Sequence, residues 1–252
     1  MMPEPATVPI PAATLVLFRE RMGTPELLFV ERSRAMAFAA GALVFPGGRV
    51  DPGDHVLAQQ YGDDVEDGAS RIAAIRETLE EVGVPVGLPP LSATEITGLR
   101  AALQAGVPFG QALSAIDVTL SITDLVPFAR WCPSHAPARI FDARFYLAEV
   151  PLDAPEPIVD DTENVRVFWA TAQDVLDLAD RGAATIIFPT RRNLERLALF
   201  DSFAAAVSHA ARHPIRTITP WVEPRDDVPH LCIPTDLGYP ITAEPMHKTV
   251  RG

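Results

Sequence analysis

Arg76-Glu77-Thr78-Leu79-Glu80-Glu81-Val82-Gly83-Val84 is the stretch of sequence on which the fold turns. With the residues before it, this stretch predicts a helix over 68–82. Ile72, Ile75, Leu79 and Val82 are spaced 3, 4 and 3 apart, an apolar stripe at helical period. Asp67 or Ser70 is placed to cap its start, and Gly83 followed by Pro85 is a stop signal. Glu77, Glu80 and Glu81 stand at i, i+3 and i+4, so they share one face, nearly opposite the stripe. An acidic outer face is ordinary for a half-buried helix. Like charges one turn apart nevertheless repel by about 0.2–0.5 kcal/mol per pair, and on this face only Arg76 offsets them. A hard divalent cation would resolve the conflict, because Mg²⁺ takes carboxylate oxygens.

Toward the N-terminus, 51–67 carries Asp51, Asp54, Asp63, Asp64, Glu66 and Asp67 with no Lys or Arg, and reads as a solvated loop. Phe45-Pro46-Gly47-Gly48 closes a predicted strand at 42–45. Its glycines permit a close backbone approach in which a carbonyl faces an ion. Strands at 13–18 and 27–30 flank a Gly23-Thr24-Pro25 turn, which makes a hairpin. Downstream, 93–117 reads as short helices broken at 106–108. Strands are expected at 140–150 and 165–169, a helix at 173–180 and one long amphipathic helix at 190–211. The last 40 residues hold seven prolines, with extended pieces near 216–219 and 231–233. Strands and helices mix without βαβ alternation, so the fold class is α+β or a mixed-sheet sandwich.

Composition narrows the function. The chain has 252 residues and a formal net charge of −12, from 33 acids against 21 bases. Lys248 is the only lysine, so the basic side is almost all arginine forks suited to phosphate or carboxylate. The charge gives no positive field to recruit a nucleic-acid duplex. Cys132 and Cys232 form no CxxC, which argues against a zinc module or disulfide scaffold; both read as small buried hydrophobes. The six histidines show no HExxH spacing, and Trp131, Trp169 and Trp221 read as core residues. The Pro-rich start has no positively charged n-region. The longest apolar stretch, 35–45, is far short of the ~20 residues of a membrane helix. A cytoplasmic protein with no membrane partner is expected.

The helix and the glycine pair carry a resemblance. Gly48, five residues, Asp54, and later Arg76-Glu77-Thr78-Leu79-Glu80-Glu81-Val82-Gly83-Val84 resemble the Nudix box of the Nudix hydrolases. Asp54 stands where the family has Glu, and Thr78 where it has an apolar residue. Between Asp54 and Arg76 lie 21 residues rather than seven. Arg32-Ser33, Gly41 and Phe45-Pro46-Gly47-Gly48 are similar to part of the signature of coenzyme A-cleaving Nudix enzymes, with Ala37 and Val30 departing from it. The enlarged box, Arg130-Trp131-Cys132-Pro133 and Arg139-Ile140-Phe141-Asp142-Ala143-Arg144-Phe145-Tyr146 resemble the coenzyme A diphosphatase-like branch.

The resemblance implies an α/β/α sandwich with a mixed β-sheet, helical insertions and a Pro-rich C-terminal extension. It divides the chain into a lead at 1–12, a hydrolase domain at 13–212 with insertions at 55–68 and 85–125, and an extension at 213–252 packed on that domain. It implies metal-dependent cleavage of a diphosphate in a nucleoside diphosphate derivative, coenzyme A or acyl-CoA first among them. Mg²⁺ or Mn²⁺ would be held by Glu77, Glu81 and Glu80 with the Gly47 carbonyl. Arg76 would orient the carboxylates. The general base is Glu80, Glu77 or an acid of Asp160-Asp161-Thr162-Glu163, of which Glu163 is preferred. Arg32, Arg34 and Arg49 are the phosphate-binding candidates. A homodimer is the assembly the resemblance allows. A second reading, a Nudix-fold module that binds nucleotides without turnover, stays open.

Overall fold

A computed structural model describes residues 8–36, 39–134, 139–150, 154–159 and 163–249. Ala37 and Asp160-Asp161-Thr162 lie outside the described residues. The first two strands are β1 (Ile10–Arg21) and β2 (Thr24–Arg32), the expected hairpin, turning at Met22 and Gly23. Then come β3 (Leu43–Val44), β4 (Gly47–Arg49), α1 (Pro52–Ala58) and α2 (Val65–Val82). The 85–125 segment forms α3 (Ala93–Gln104) and α4 (Phe109–Ser114), before β5 (Val126–Trp131), β6 (Phe141–Glu149) and β7 (Asn164–Ala170). α5 (Ala172–Asp180), α6 (Phe188–Leu197) and α7 (Phe203–Ala210) follow. The C-terminal part holds β8 (Thr217–Ile218), β9 (Trp221–Arg225), β10 (Val228–Cys232), β11 (Ala243–Pro245) and α8 (Met246–Thr249).

The main sheet is mixed, as an α+β reading requires. Along one edge β1 runs parallel to β6, from Ile10 beside Phe141 to Phe18 beside Glu149. Along its other edge it pairs antiparallel with β4 near its start and with β2 near its end. β1 and β2 therefore diverge, and β3–β4 fills the fork; β2 goes on to pair with β3 and β7. β5 continues the sheet beyond β6, and β8 adds to β5 in parallel.

Period-two alternation divides the strand residues between two cores. Leu15, Leu17, Leu28 and Val30 face one core with α2, α3 and α4, while Val16, Phe18, Leu27 and Phe29 face the other with α5, α6 and α7. The stripe Ile72, Ile75, Leu79 and Val82 is wholly buried in the first core. The result is helix, sheet, helix in layers. The extension joins the second core through Ile218, Ile233, Leu237 and Tyr239.

Four local expectations are corrected. The 51–67 segment is not a solvated loop: it contains α1 and the first turn of α2, and Asp54 within it is buried. The cap of α2 is Asp64, whose carboxylate accepts the Asp67 N–H at 3.0 Å, rather than Asp67 or Ser70. The long helix at 190–211 is two helices, because Ser202 Oγ accepts the Ala205 N–H and starts α7 afresh. Trp221 is not a core residue but 43 % exposed on β9. No helix among the described residues is long and apolar enough to cross a membrane.

Candidate active site

The last two turns of α2 lie against β4 in the fork between β1 and β2. Gly83 ends the helix in the left-handed region, φ 72°, with its N–H on the Leu79 carbonyl. Glu77 and Glu81 face the glycine strand rather than solvent. The Gly47 N–H donates to Glu81 Oε2 at 3.1 Å. A Cβ at Gly48 would fall 2.3 Å from the Glu77 carboxyl carbon, so only glycine lets that carboxylate lie on the strand. A Cβ at Gly47 would instead meet the Ala13 carbonyl oxygen at 2.4 Å, which is rigid backbone.

Arg76 is the buried clamp of the site. Its Nε and Nη2 donate to Asp54 Oδ1 and Oδ2 at 3.0 and 2.9 Å, a bidentate fork. Nη2 also donates to the Arg49 carbonyl and Nη1 to Glu77 Oε1, both at 2.9 Å. Glu80 Oε2 lies 3.7 Å from Nη1. Asp54 is 1 % exposed and also accepts the Asp51 N–H at 2.9 Å. Asp54 on α1 therefore positions Arg76 on α2. Thr78, the other departure from the box, is buried and donates its hydroxyl to the Ala74 carbonyl at 2.7 Å.

The strand end opposite completes the cluster. The β2–β7 pairing slips between Glu31 and Arg32, setting Arg32 beside Asn164; such bulges re-aim side chains. Arg32 Nη2 lies 3.5 Å from Glu163 Oε2, and the Ser33 N–H donates to the Glu163 carbonyl at 2.8 Å. The buried Asn164 side chain and the Arg32 charge both favour ionised Glu81. Burial wins nonetheless: with the Glu77 charge beside it, it pushes the Glu81 carboxyl up to about 8. Burial likewise pushes Glu77 up to about 7 against the pull of Arg76.

The structure thus brings Glu77, Glu80, Glu81, Arg76, Gly47, Arg32 and Glu163 into one connected cluster. Arg34 and Arg49 are exposed; the Arg34 side chain lies against Gly41, and Arg49 meets the cluster through its carbonyl. Arg130 and Asp142, quoted above for the branch, are paired with each other at 2.8 and 2.6 Å. Asn164 and the anchoring role of Asp54 escaped the sequence reading. No pattern marks Asn164. For Asp54 the signal was present: Pro52 at a helix start between two aspartates.

No family model matches the chain, and no curated protein matches it significantly. Solved structures do. The crystal structure of a NUDIX hydrolase from Alicyclobacillus acidocaldarius is 28 % identical and superposes with a TM-score of 0.69, over 80 % of this chain and 96 % of that one. A MutT NUDIX hydrolase from Burkholderia pseudomallei aligns at 18 % identity and TM-score 0.42, over 75 % of this chain and 97 % of that one. Fold and site together support an enzyme similar to the Nudix hydrolases, whose general chemistry is hydrolysis of nucleoside diphosphate-X compounds. Of these two structures, only the Alicyclobacillus enzyme is similar enough to carry an argument.

Nudix hydrolases generally use divalent metal ions. The donor chemistry here fits one. Glu77 and Glu81 are hard oxygen donors, side by side and largely out of water, each costly to ionise without a cation. Among the described residues no three His, Cys, Asp or Glu side chains form a ready cage. Mg²⁺ seldom uses one: it takes one or two carboxylates and completes its shell with water and substrate phosphate.

Proposed function

We propose that the protein hydrolyses the diphosphate linkage of a nucleoside diphosphate derivative with Mg²⁺ or Mn²⁺, coenzyme A or an acyl-CoA being the leading substrate. The observation that carries this reading is the pair of carboxylates, half-buried Glu77 and buried Glu81, seated on the Gly47-Gly48 strand. The ion would be held by Glu77, Glu81 and Glu80 with the Gly47 carbonyl. It would supply charge neutralisation for the diphosphate and a more acidic water.

The chain's own residues do the rest. Arg76, fixed by Asp54, holds Glu77 in place. Glu163 takes the proton of the attacking water as its oxygen bonds to phosphorus, while the bridging P–O bond breaks and one phosphate leaves. Glu80 and Glu77 are the other candidate bases. Arg32, Arg34 and Arg49 bind the flanking phosphates by charge-assisted hydrogen bonds. The coenzyme A preference rests on Arg32-Ser33, Gly41 and Phe45-Pro46-Gly47-Gly48. A cytoplasmic location and a homodimer belong to the same proposal.

The test is a panel of diphosphates with each metal. Release of adenosine 3′,5′-diphosphate from coenzyme A is the expected product. Cleavage of another compound with coenzyme A inert would overturn the substrate. Nucleotide binding with no cleavage of any compound would favour the turnover-free module.

A further inference from the structure

The segment between α2 and β5 reaches the site through Arg100. Arg100, on α3, donates from Nε to the Glu80 carbonyl at 3.1 Å and from Nη2 to the Glu81 carbonyl at 3.3 Å. Those carbonyls belong to the last turn of α2, where a helix leaves its acceptors without intrahelical partners. A guanidinium there also faces the negative end of the helix dipole. The same Nη2 donates to the Ile158 carbonyl at 3.1 Å, and the Ile158 N–H donates to the Val82 carbonyl at 3.0 Å. A Cβ at Gly83 would stand 3.3 Å from Arg100 Nη1, so the guanidinium packs close against the helix end.

One group therefore holds the backbone of Glu80 and Glu81 and the 154–159 segment that leads on to Glu163. Glu81 and Glu163 lie 82 residues apart in sequence. We infer that Arg100 is a positioning residue. It fixes the carboxylate-bearing turn of α2 relative to the strand entry that carries Glu163. The inference rests on the hydrolase reading above.

Arg71 supplies a matched control at the other end of α2. It too ties the helix to loop carbonyls, donating to Ile122 and Leu125 at 3.1 and 2.5 Å, away from the carboxylates. Three quantities separate a positioning role from a plain helix cap: Mn²⁺ affinity by electron paramagnetic resonance, the kcat and KM of a hydrolysed diphosphate, and the melting midpoint. Arg100→Met should weaken Mn²⁺ binding and kcat by roughly 10–100-fold, the scale of losing an outer-shell partner. KM should stay within about twofold. Arg100→Lys, a point charge without the fork, should recover part of the loss. Arg71→Met should lower the melting midpoint and leave Mn²⁺ affinity and kcat at wild-type values.

Unchanged Mn²⁺ affinity and kcat in Arg100→Met would overturn the inference and leave Arg100 a structural cap. If that variant does not fold, Arg100→Lys decides, and wild-type affinity in it overturns the inference. A wild type that binds Mn²⁺ without hydrolysing any diphosphate sinks the hydrolase reading alone, since loss of Mn²⁺ in Arg100→Met would still support the positioning role. A wild type that does neither sinks both.

Discussion

Gly47 and Gly48 are adjacent and look interchangeable, yet each is required for a different reason. At Gly48 a methyl group would displace the end of a flexible Glu77 side chain; at Gly47 it would strike the backbone of β1. Gly48→Ala should therefore fold near the wild-type midpoint and lose metal binding and turnover. Gly47→Ala should lose stability first. Thermal melts beside Mn²⁺ titration check both, and equal loss of stability would refute the distinction. The Arg76 clamp is equally specific. Arg76 is 7 % exposed and Asp54 1 %, so Arg76→Met leaves a carboxylate buried without its cation. That should cost about 3–5 kcal/mol in urea unfolding, and Arg76→Met with Asp54→Leu should restore part of it. The glycine pair and the acidic triad were legible in the sequence, but their partners were not. Which atom a glycine makes room for is a tertiary fact, and Asn164 has no local pattern at all.

At the scale of elements, α2 is held at both ends. At its start Asp67 accepts from Tyr146 Oη at 2.8 Å, from Arg144 at 2.9 Å and from Arg71 at 2.5 Å. Burial works to raise the Asp67 carboxyl, but these hydrogen bonds and charges outweigh it and hold it below the usual carboxylate range. The folded state thus gives up this proton at lower pH than the unfolded chain does. Its contribution is present above about pH 4, the unfolded value, and is lost as pH falls through the lower folded value. Asp67→Asn should melt lower at neutral pH and show a flatter acid limb below pH ~4; an unchanged acid limb would refute this. The helix stripe and its glycine stop were read from period and turn chemistry. α1 was missed because a run of acids resembles a solvated loop, although Pro52 begins a helix there. The break between α6 and α7 was missed because neither glycine nor proline marks it. A serine cap does, and serine is tolerated inside helices.

Over the whole molecule, the Pro-rich C-terminal part is built into the fold. β8 extends the main sheet beside Trp131, Tyr239 Oη donates to Asn193 Oδ1 at 2.8 Å, and Arg192 on α6 bridges Glu195 and Glu244 at 2.8 Å each. Removing residues after 212 would strip Ile218, Ile233, Leu237 and Tyr239 from the second core. At about 1.5–3 kcal/mol for each buried apolar side chain, the loss is comparable with the stability of a whole domain. The truncated chain should show no cooperative melt by circular dichroism, and a wild-type melt would contradict this. A proline-rich composition conceals such integration, because short strands between prolines carry little periodicity. The likeness to Nudix hydrolases, by contrast, was legible from one helix and one glycine pair, because it rests on a few residues at fixed spacing.

In the proposed function the carboxylates of α2 hold the ion that makes a diphosphate cleavable. Its most direct measurement is cleavage of a diphosphate panel by the wild type and Glu81→Gln, side by side, with Mg²⁺, Mn²⁺ or chelator. The wild type should cleave at least one compound only with metal. Glu81→Gln should fold and fall by at least the roughly 10–100-fold that loss of an outer-shell partner costs. Cleavage that survives chelation, or a Glu81→Gln variant as active as wild type, would contradict the account.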